Sequence, residues 1–171
     1  MSSQEKVPGT RSSTMASKLR LKLVVSCVSG LGGLLAVYLL ATIAAIWNTP
    51  LLIAPFGASC VLIFAIPQSP LAQPHNVIGG HLLSSATGLI ALATLGTSPI
   101  ACGLAVGFAI AAMQFTDTLH PPAGADPIVV ILAGASWHFL LTPVLAGTAT
   151  IIVVATLYHK LLSKRPYPHN P

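Results

Sequence analysis

The apolar positions of this chain fall into long unbroken runs, separated by short clusters of proline, glycine and polar residues. Leu23–Trp47 is the first run. About 20 helical residues cover the roughly 30 Å hydrocarbon core of a bilayer, so this run is long enough to span one. Val77–Leu95, Ile100–Thr116 and Leu140–Leu161 repeat the pattern. Two further apolar stretches are interrupted: Pro50–Pro67 by Pro55 and Gly57, and the region after Thr116 by His120-Pro121-Pro122 before it resumes at Ile128–Ala133. Proline lacks a backbone donor and pushes the residue before it out of the helical region, so His120-Pro121-Pro122 is expected to run extended. Asp126-Pro127 then reads as a helix start, with the carboxylate capping free N–H groups and proline at the first helical position. Ser59 is expected to cap the other broken segment in the same way. Pro67–Asn76 reads as a polar, proline-rich loop and Gly96-Thr97-Ser98-Pro99 as a short turn. The fold expected is an all-α membrane protein with four full transmembrane helices plus two broken, half-helical segments.

Charge sharpens this picture. Only 6% of the 171 residues are charged and 54% are hydrophobic, against roughly a quarter charged in soluble proteins. All eight Lys and Arg lie at the ends: Lys6, Arg11, Lys18, Arg20 and Lys22 before the first run, Lys160, Lys164 and Arg165 after the last. Basic flanks on both sides put both termini in the cytoplasm and require an even number of crossings. The location expected is a cell membrane, that of a bacterial inner membrane. Residues 1–22 are Ser/Thr-rich and basic and are expected to be disordered, residues 23–162 to form the membrane domain, and residues 163–171 to be a tail. Anionic lipid headgroups account for the net charge of +5 without nucleic acid, since no basic face with interleaved aromatics exists. Cys27, Cys60 and Cys102 lie far apart in apolar surroundings and form neither a disulfide pattern nor a metal-ligand spacing.

Shifting the chain by 67 residues places Pro55 on Pro122, Gly57 on Gly124, Ala58 on Ala125 and Ser59 on Asp126. The flanking spans obey the same shift, so the order span, broken segment, span is given twice, over about 23–95 and 98–161. Crossing segments would make six passes with inverted halves, whereas re-entrant segments would make four with parallel halves. Charge does not decide between them. In either case irregular backbone at membrane depth must be buried in protein or line a watery cavity, so the two broken segments should face each other. Discontinuous helices meeting near the midplane point to a transporter's substrate site, and a half-helix N-terminus suits an anion. Small residues four apart, including Gly103 and Gly107, suit close helix approach and a homo-oligomer.

Between Leu23 and His159 the only residues with a full formal charge are Asp117 and Asp126. Ionisable groups at that depth are functional candidates, and together with His120 they form a possible proton relay. His81 and His138 read as lone histidines on helices. No nucleophile–base pair, phosphate loop, HExxH or dinucleotide fingerprint is visible, so no enzymatic activity and no cofactor or metal are expected.

Three motifs carry a resemblance: Leu119-His120-Pro121-Pro122-Ala123-Gly124-Ala125, Ala54-Pro55-Phe56-Gly57-Ala58-Ser59, and Ser69-Pro70-Leu71-Ala72-Gln73-Pro74 leading to Asn76-Val77-Ile78-Gly79-Gly80-His81. In this order they closely resemble the HPP family of small integral membrane proteins, over about residues 20–162. The resemblance implies four-helix membrane proteins, some of them nitrite transporters, and hence small-anion transport. Its motifs carry the substrate-binding role onto Pro55, Gly57, Ala58, Ser59, Gln73, His81, His120, Pro121, Pro122 and Gly124. There are departures: His75 and Asp117 stand where arginine is expected, and Asp126 where a neutral residue is usual. A carboxylate at the half-helix start competes with an anion unless it is protonated or the substrate travels with a proton. The function expected is a channel or transporter for a small inorganic anion, nitrite first. The alternatives are a cation or proton pathway centred on Asp117 and Asp126, or a membrane scaffold.

Overall fold

The computed structural model describes residues 9–169, and the fold is built from helices, with no strand among the described residues. Six α-helices follow in order: α1 Gly9–Trp47, α2 Ala54–Ala65, α3 Pro74–Leu95, α4 Pro99–Phe115, α5 Asp126–Ala133 and α6 Ala146–Tyr158. Short 3-10 turns at Pro70–Ala72, Pro121–Ala125 and Trp137–Leu140 join them. Among the described residues, three helical runs are long and apolar enough to cross a membrane: Thr14–Trp47, Pro74–Leu95 and Trp137–Ser163. The expected fourth, Ile100–Thr116, appears as the 17-residue α4. At 1.5 Å per residue that helix is about 26 Å long, at the short limit for a crossing.

The first helix corrects the expected disordered tail. Residues 9–22 are helical and continuous with the first span, while residues 1–8 lie outside the described residues. Once an apolar helix is nucleated, each added residue gains a backbone bond at little cost, so the polar segment extends it. The last span is less regular than expected, because Pro143 interrupts it and leaves Thr142 at φ −139°, ψ 114°.

Both broken segments begin where proline dictates. The residues before α2 run extended, with Ile53 at φ −123°, ψ 150°, and Pro55 sits in the first turn, where its missing donor is not needed. Ser59 therefore lies inside the helix instead of capping it, and its hydroxyl reaches back to the Pro55 carbonyl at 3.3 Å. In the second segment His120 is extended as expected, but Pro121–Ala125 wind into a 3-10 turn that leads directly into α5.

Neighbouring residues fix how the segments run. Gly32 and Gly33 of α1 lie against Phe64 and Cys60 of α2, so the two helices are antiparallel. Phe56 of α2 packs on Gly147 at the start of α6, and the Ile63 carbonyl meets His159 just past its end, so α2 and α6 run parallel. Along α3, Gly79 faces Thr118, Gly80 faces His120, Ser84 bonds the Ala123 carbonyl and Gly88 lies against Pro127. The segment 118–127 thus climbs beside α3 in the same direction. Outward from this core, Leu34, Tyr38, Phe108, Phe115, Leu132 and Val153 are exposed, Phe115 to 90%. An apolar exterior around a polar-bearing interior is what a lipid solvent selects.

Glycine is required where α3 meets the second broken segment: a Cβ on Gly88 would stand 2.7 Å from the Pro127 Cα. Gly88→Ala is expected to destabilise the fold by about 1–3 kcal/mol through overpacking. Gly30→Ala, which meets nothing within 4 Å, is expected to leave thermal stability in detergent unchanged. Equal melting temperatures for the two variants would refute the packing described.

Candidate functional site

Four side chains from four places in the sequence form one hydrogen-bonded chain in the middle of the bundle. Asp126, at the first turn of α5, places Oδ2 2.7 Å from His81 Nδ1 on α3. The other nitrogen of His81, Nε2, lies 2.8 Å from Ser59 Oγ on α2. Ser59 Oγ also lies 2.8 Å from Nε2 of His120, and His120 Nδ1 lies 2.7 Å from the Leu71 carbonyl oxygen. Ser85 donates its hydroxyl to Asp126 Oδ2 at 3.2 Å. Ser59, His81, His120 and Asp126 are all fully buried. Two ring contacts brace the imidazoles: Phe56 edge-on to His81, with centroids 5.2 Å apart, and His81 to His120 at 5.0 Å.

Donor and acceptor identities constrain the protons. A carbonyl only accepts, so His120 Nδ1 carries hydrogen and donates to Leu71. A neutral His120 then accepts the Ser59 hydroxyl at Nε2, at 2.8 Å and in preference to the 3.3 Å contact with the Pro55 carbonyl, and Ser59 accepts from His81 Nε2–H. The remaining proton lies between His81 Nδ1 and Asp126, as imidazolium with carboxylate or as imidazole with carboxylic acid. Reversing the Ser59 hydroxyl moves the extra proton to His120 without changing the number held. Asp126, His81, Ser59 and His120 therefore form a continuous wire of hydrogen-bonded groups.

The structure brings these four predicted residues together and leaves the others outside the wire. Asp126 is a correction at the level of its side chain: the 3-10 turn makes Ala125 the N-cap and puts Asp126 inside the helix, where it makes no cap bond and turns Oδ2 to His81. Pro55, Pro122 and Ala123 are buried and shape the wall, whereas Gly57, Ala58 and Pro121 are exposed and Gly124 half-buried. Asp117 is exposed in a turn at φ 54°, with its carbonyl accepting from Asn76. Gln73 braces its own loop, donating to the Pro67 and Ser69 carbonyls, each at 2.9 Å. The spacing of the sequence showed no nucleophile beside a base, yet Ser59, His81 and Asp126 meet in the order hydroxyl, imidazole, carboxyl.

Sequence reasoning missed the clasp that holds the His120 end. His159 meets the Ile63 carbonyl at 3.0 Å and Arg165 donates to the Phe64 and Ala65 carbonyls, satisfying the free end of α2. Tyr167 donates to Ala72 at 3.0 Å and the His169 N–H to Gln73 Oε1 at 2.7 Å. The residues after α6 thereby strap the loop whose Leu71 carbonyl orients His120. Cavities of about 520 and 490 Å³ flank this strap, lined in part by Arg165 and by His75 and His169 respectively.

Residues 18–168 match the family described as HPP, transmembrane region. This chain belongs to that family. The match takes in the strap as well as both interrupted helices, so the HPP region here ends beyond α6. Two transmembrane proteins of Dictyostelium discoideum are similar to the HPP chain. One is 40% identical over 125 residues, 68% of this chain and 44% of that protein; the other is 36% identical over 129 residues, 71% and 42%. The chain spans less than half the length of these curated relatives. No solved structure matches it. Family and apolar helices together make this an integral membrane protein.

Burial pushes the Tyr167 phenol above its ordinary value. An unfolded tyrosine ionises near about pH 10, so the strap's contribution to stability is present below that pH and is lost as pH rises beyond it. The melting temperature of the protein is expected to fall as pH rises above about 10, and to fall less in Tyr167→Phe. Identical pH profiles would contradict the buried phenol. Ser59→Ala strands two imidazole nitrogens and is expected to cost about 1–3 kcal/mol. The ¹⁵N shifts of labelled His120 should report Nδ1 as the protonated nitrogen in the unsubstituted protein.

Proposed function

We propose that the HPP chain is a transporter for a small inorganic anion, nitrite first, moving with a proton through the place where α2 and the segment leading into α5 meet. The observation that carries this is the Asp126–His81–Ser59–His120 wire. Ionisable groups are expensive at membrane depth, and here they are joined and fully buried where the two interrupted segments meet α3. The opposed courses of the two broken segments support six crossings in two inverted halves. Gly80 and Gly147, 67 residues apart, support it too, since each lies beneath the first bulky side chain of the opposite half's broken segment, His120 and Phe56. The basic flanks favour a cell membrane, a bacterial inner membrane on the sequence reading, with both termini cytoplasmic. Gly103 and Gly107 on α4 face open space, where a second copy would pack in a homo-oligomer.

A cation or proton pathway is the second reading, favoured by the buried carboxyl of Asp126. A hydrolytic role for Ser59 has its order of groups in favour and its bonding against it, because both imidazoles occupy the hydroxyl. Proteoliposome uptake of labelled nitrite, nitrate and monovalent cations tests the proposal. His120→Ala and Asp126→Asn are each expected to slow nitrite uptake roughly tenfold or more, the scale of losing a positioned proton donor. Nitrite uptake unaltered by both substitutions would remove the site, uptake of cations alone would establish the second reading, and no uptake at all would leave a membrane scaffold.

A further inference from the structure

The carboxyl of Asp126 is only half satisfied. Its Oδ2 faces His81 and Ser85, whereas Oδ1 is buried without a hydrogen-bond partner among the described residues. No side chain caps the start of α5, where this oxygen lies. An orphaned buried oxygen is costly, and it selects the partner that can relieve it. A carboxylate oxygen needs a donor, which a deprotonated anion does not offer. A protonated carboxyl donates, and then needs a partner basic enough to share its proton.

We propose that the ligand of this site is the conjugate base of a weak monobasic oxoacid, seated against Asp126 Oδ1 together with its proton as the neutral acid. This rests on the transport reading above and narrows it: the protein selects by basicity, not by size or charge. No Lys or Arg lies between Leu23 and His159, so no fixed positive charge is available to hold an anion that stays ionised. The ionisable side chains facing the carboxyl are His81 from α3 and, through Ser59 of α2, His120 ahead of α5. Neither α4 nor α6 adds a charged group there. The wire holds one movable proton, enough for one monobasic acid.

The step balances simply. On entry the O–H bond of Asp126 breaks and one forms on the ligand oxygen, the electron pair staying on the carboxylate. The wire hands a proton back along His81, and solvent on the entry side replaces it. On the other side the ligand leaves as the neutral acid and gives its proton to the solvent there. One anion and one proton move together and no net charge crosses.

The test is flux through the full chain in proteoliposomes carrying a lumenal pH dye, with protein-free liposomes subtracted. An inward proton gradient is imposed, and nitrite, formate, nitrate and chloride are compared. Nitrite and formate should enter with lumenal acidification and without response to a clamped membrane potential, and nitrate and chloride should be carried at least tenfold more slowly. Asp126→Asn should abolish the protein-dependent acidification while keeping its helical circular dichroism. Should that variant not fold, the selectivity of the unsubstituted protein decides alone. Nitrate carried as fast as nitrite, or nitrite flux that follows the membrane potential, would overturn the inference while leaving anion transport standing. Ammonium flux without any anion flux, or no flux above protein-free liposomes, would overturn the transport reading and this inference with it.

Discussion

The interaction on which the molecule depends is the double engagement of His81, whose two nitrogens meet Ser59 on one interrupted helix and Asp126 on the other. In a bundle surrounded by lipid these groups have no water to fall back on, so each is costly alone and stable only with the others. That need explains the packing around them. Gly80 and Gly88 let the second broken segment press against α3, where any side chain would collide with His120 or Pro127. The interruptions are thus the means by which a hydroxyl, an imidazole and a carboxyl reach His81 on the continuous α3.

From that point the structure extends toward the end of the chain. His120 is oriented by the carbonyl of Leu71, the next residue's carbonyl is held by Tyr167, and Gln73 of the same loop accepts from His169. Any motion that frees the strap therefore changes what His120 can bond. The two cavities beside the strap, with Arg165, His75 and His169 along their walls, lie at the same end.

Much of this was legible in the residues. Uninterrupted apolar runs announced the spans, and Pro55 and the His120-Pro121-Pro122 cluster announced the breaks, because proline's constraints are local. What lay beyond local rules was not. His81 is 22 residues from Ser59 and 45 from Asp126, so no spacing marked it as the bridge, and only the likeness of its motif singled it out. Ser59 read as a cap through its alignment with Asp126, yet Pro55 starts the helix several residues earlier. The extension of α1 back to Gly9 carries no apolar period, since it is propagated from the span that follows. His159 and Tyr167 sit in a segment that composition alone made a tail, and their partners are carbonyls about a hundred residues away.

The most direct measurement is the ¹⁵N–¹³C distance between His81 Nδ1 and the Asp126 carboxyl carbon, by solid-state magnetic resonance on labelled protein in lipid bilayers. The account predicts direct hydrogen-bond contact, in keeping with the 2.7 Å separation of Nδ1 from Oδ2. A separation too long for any hydrogen bond, with the protein folded, would contradict it.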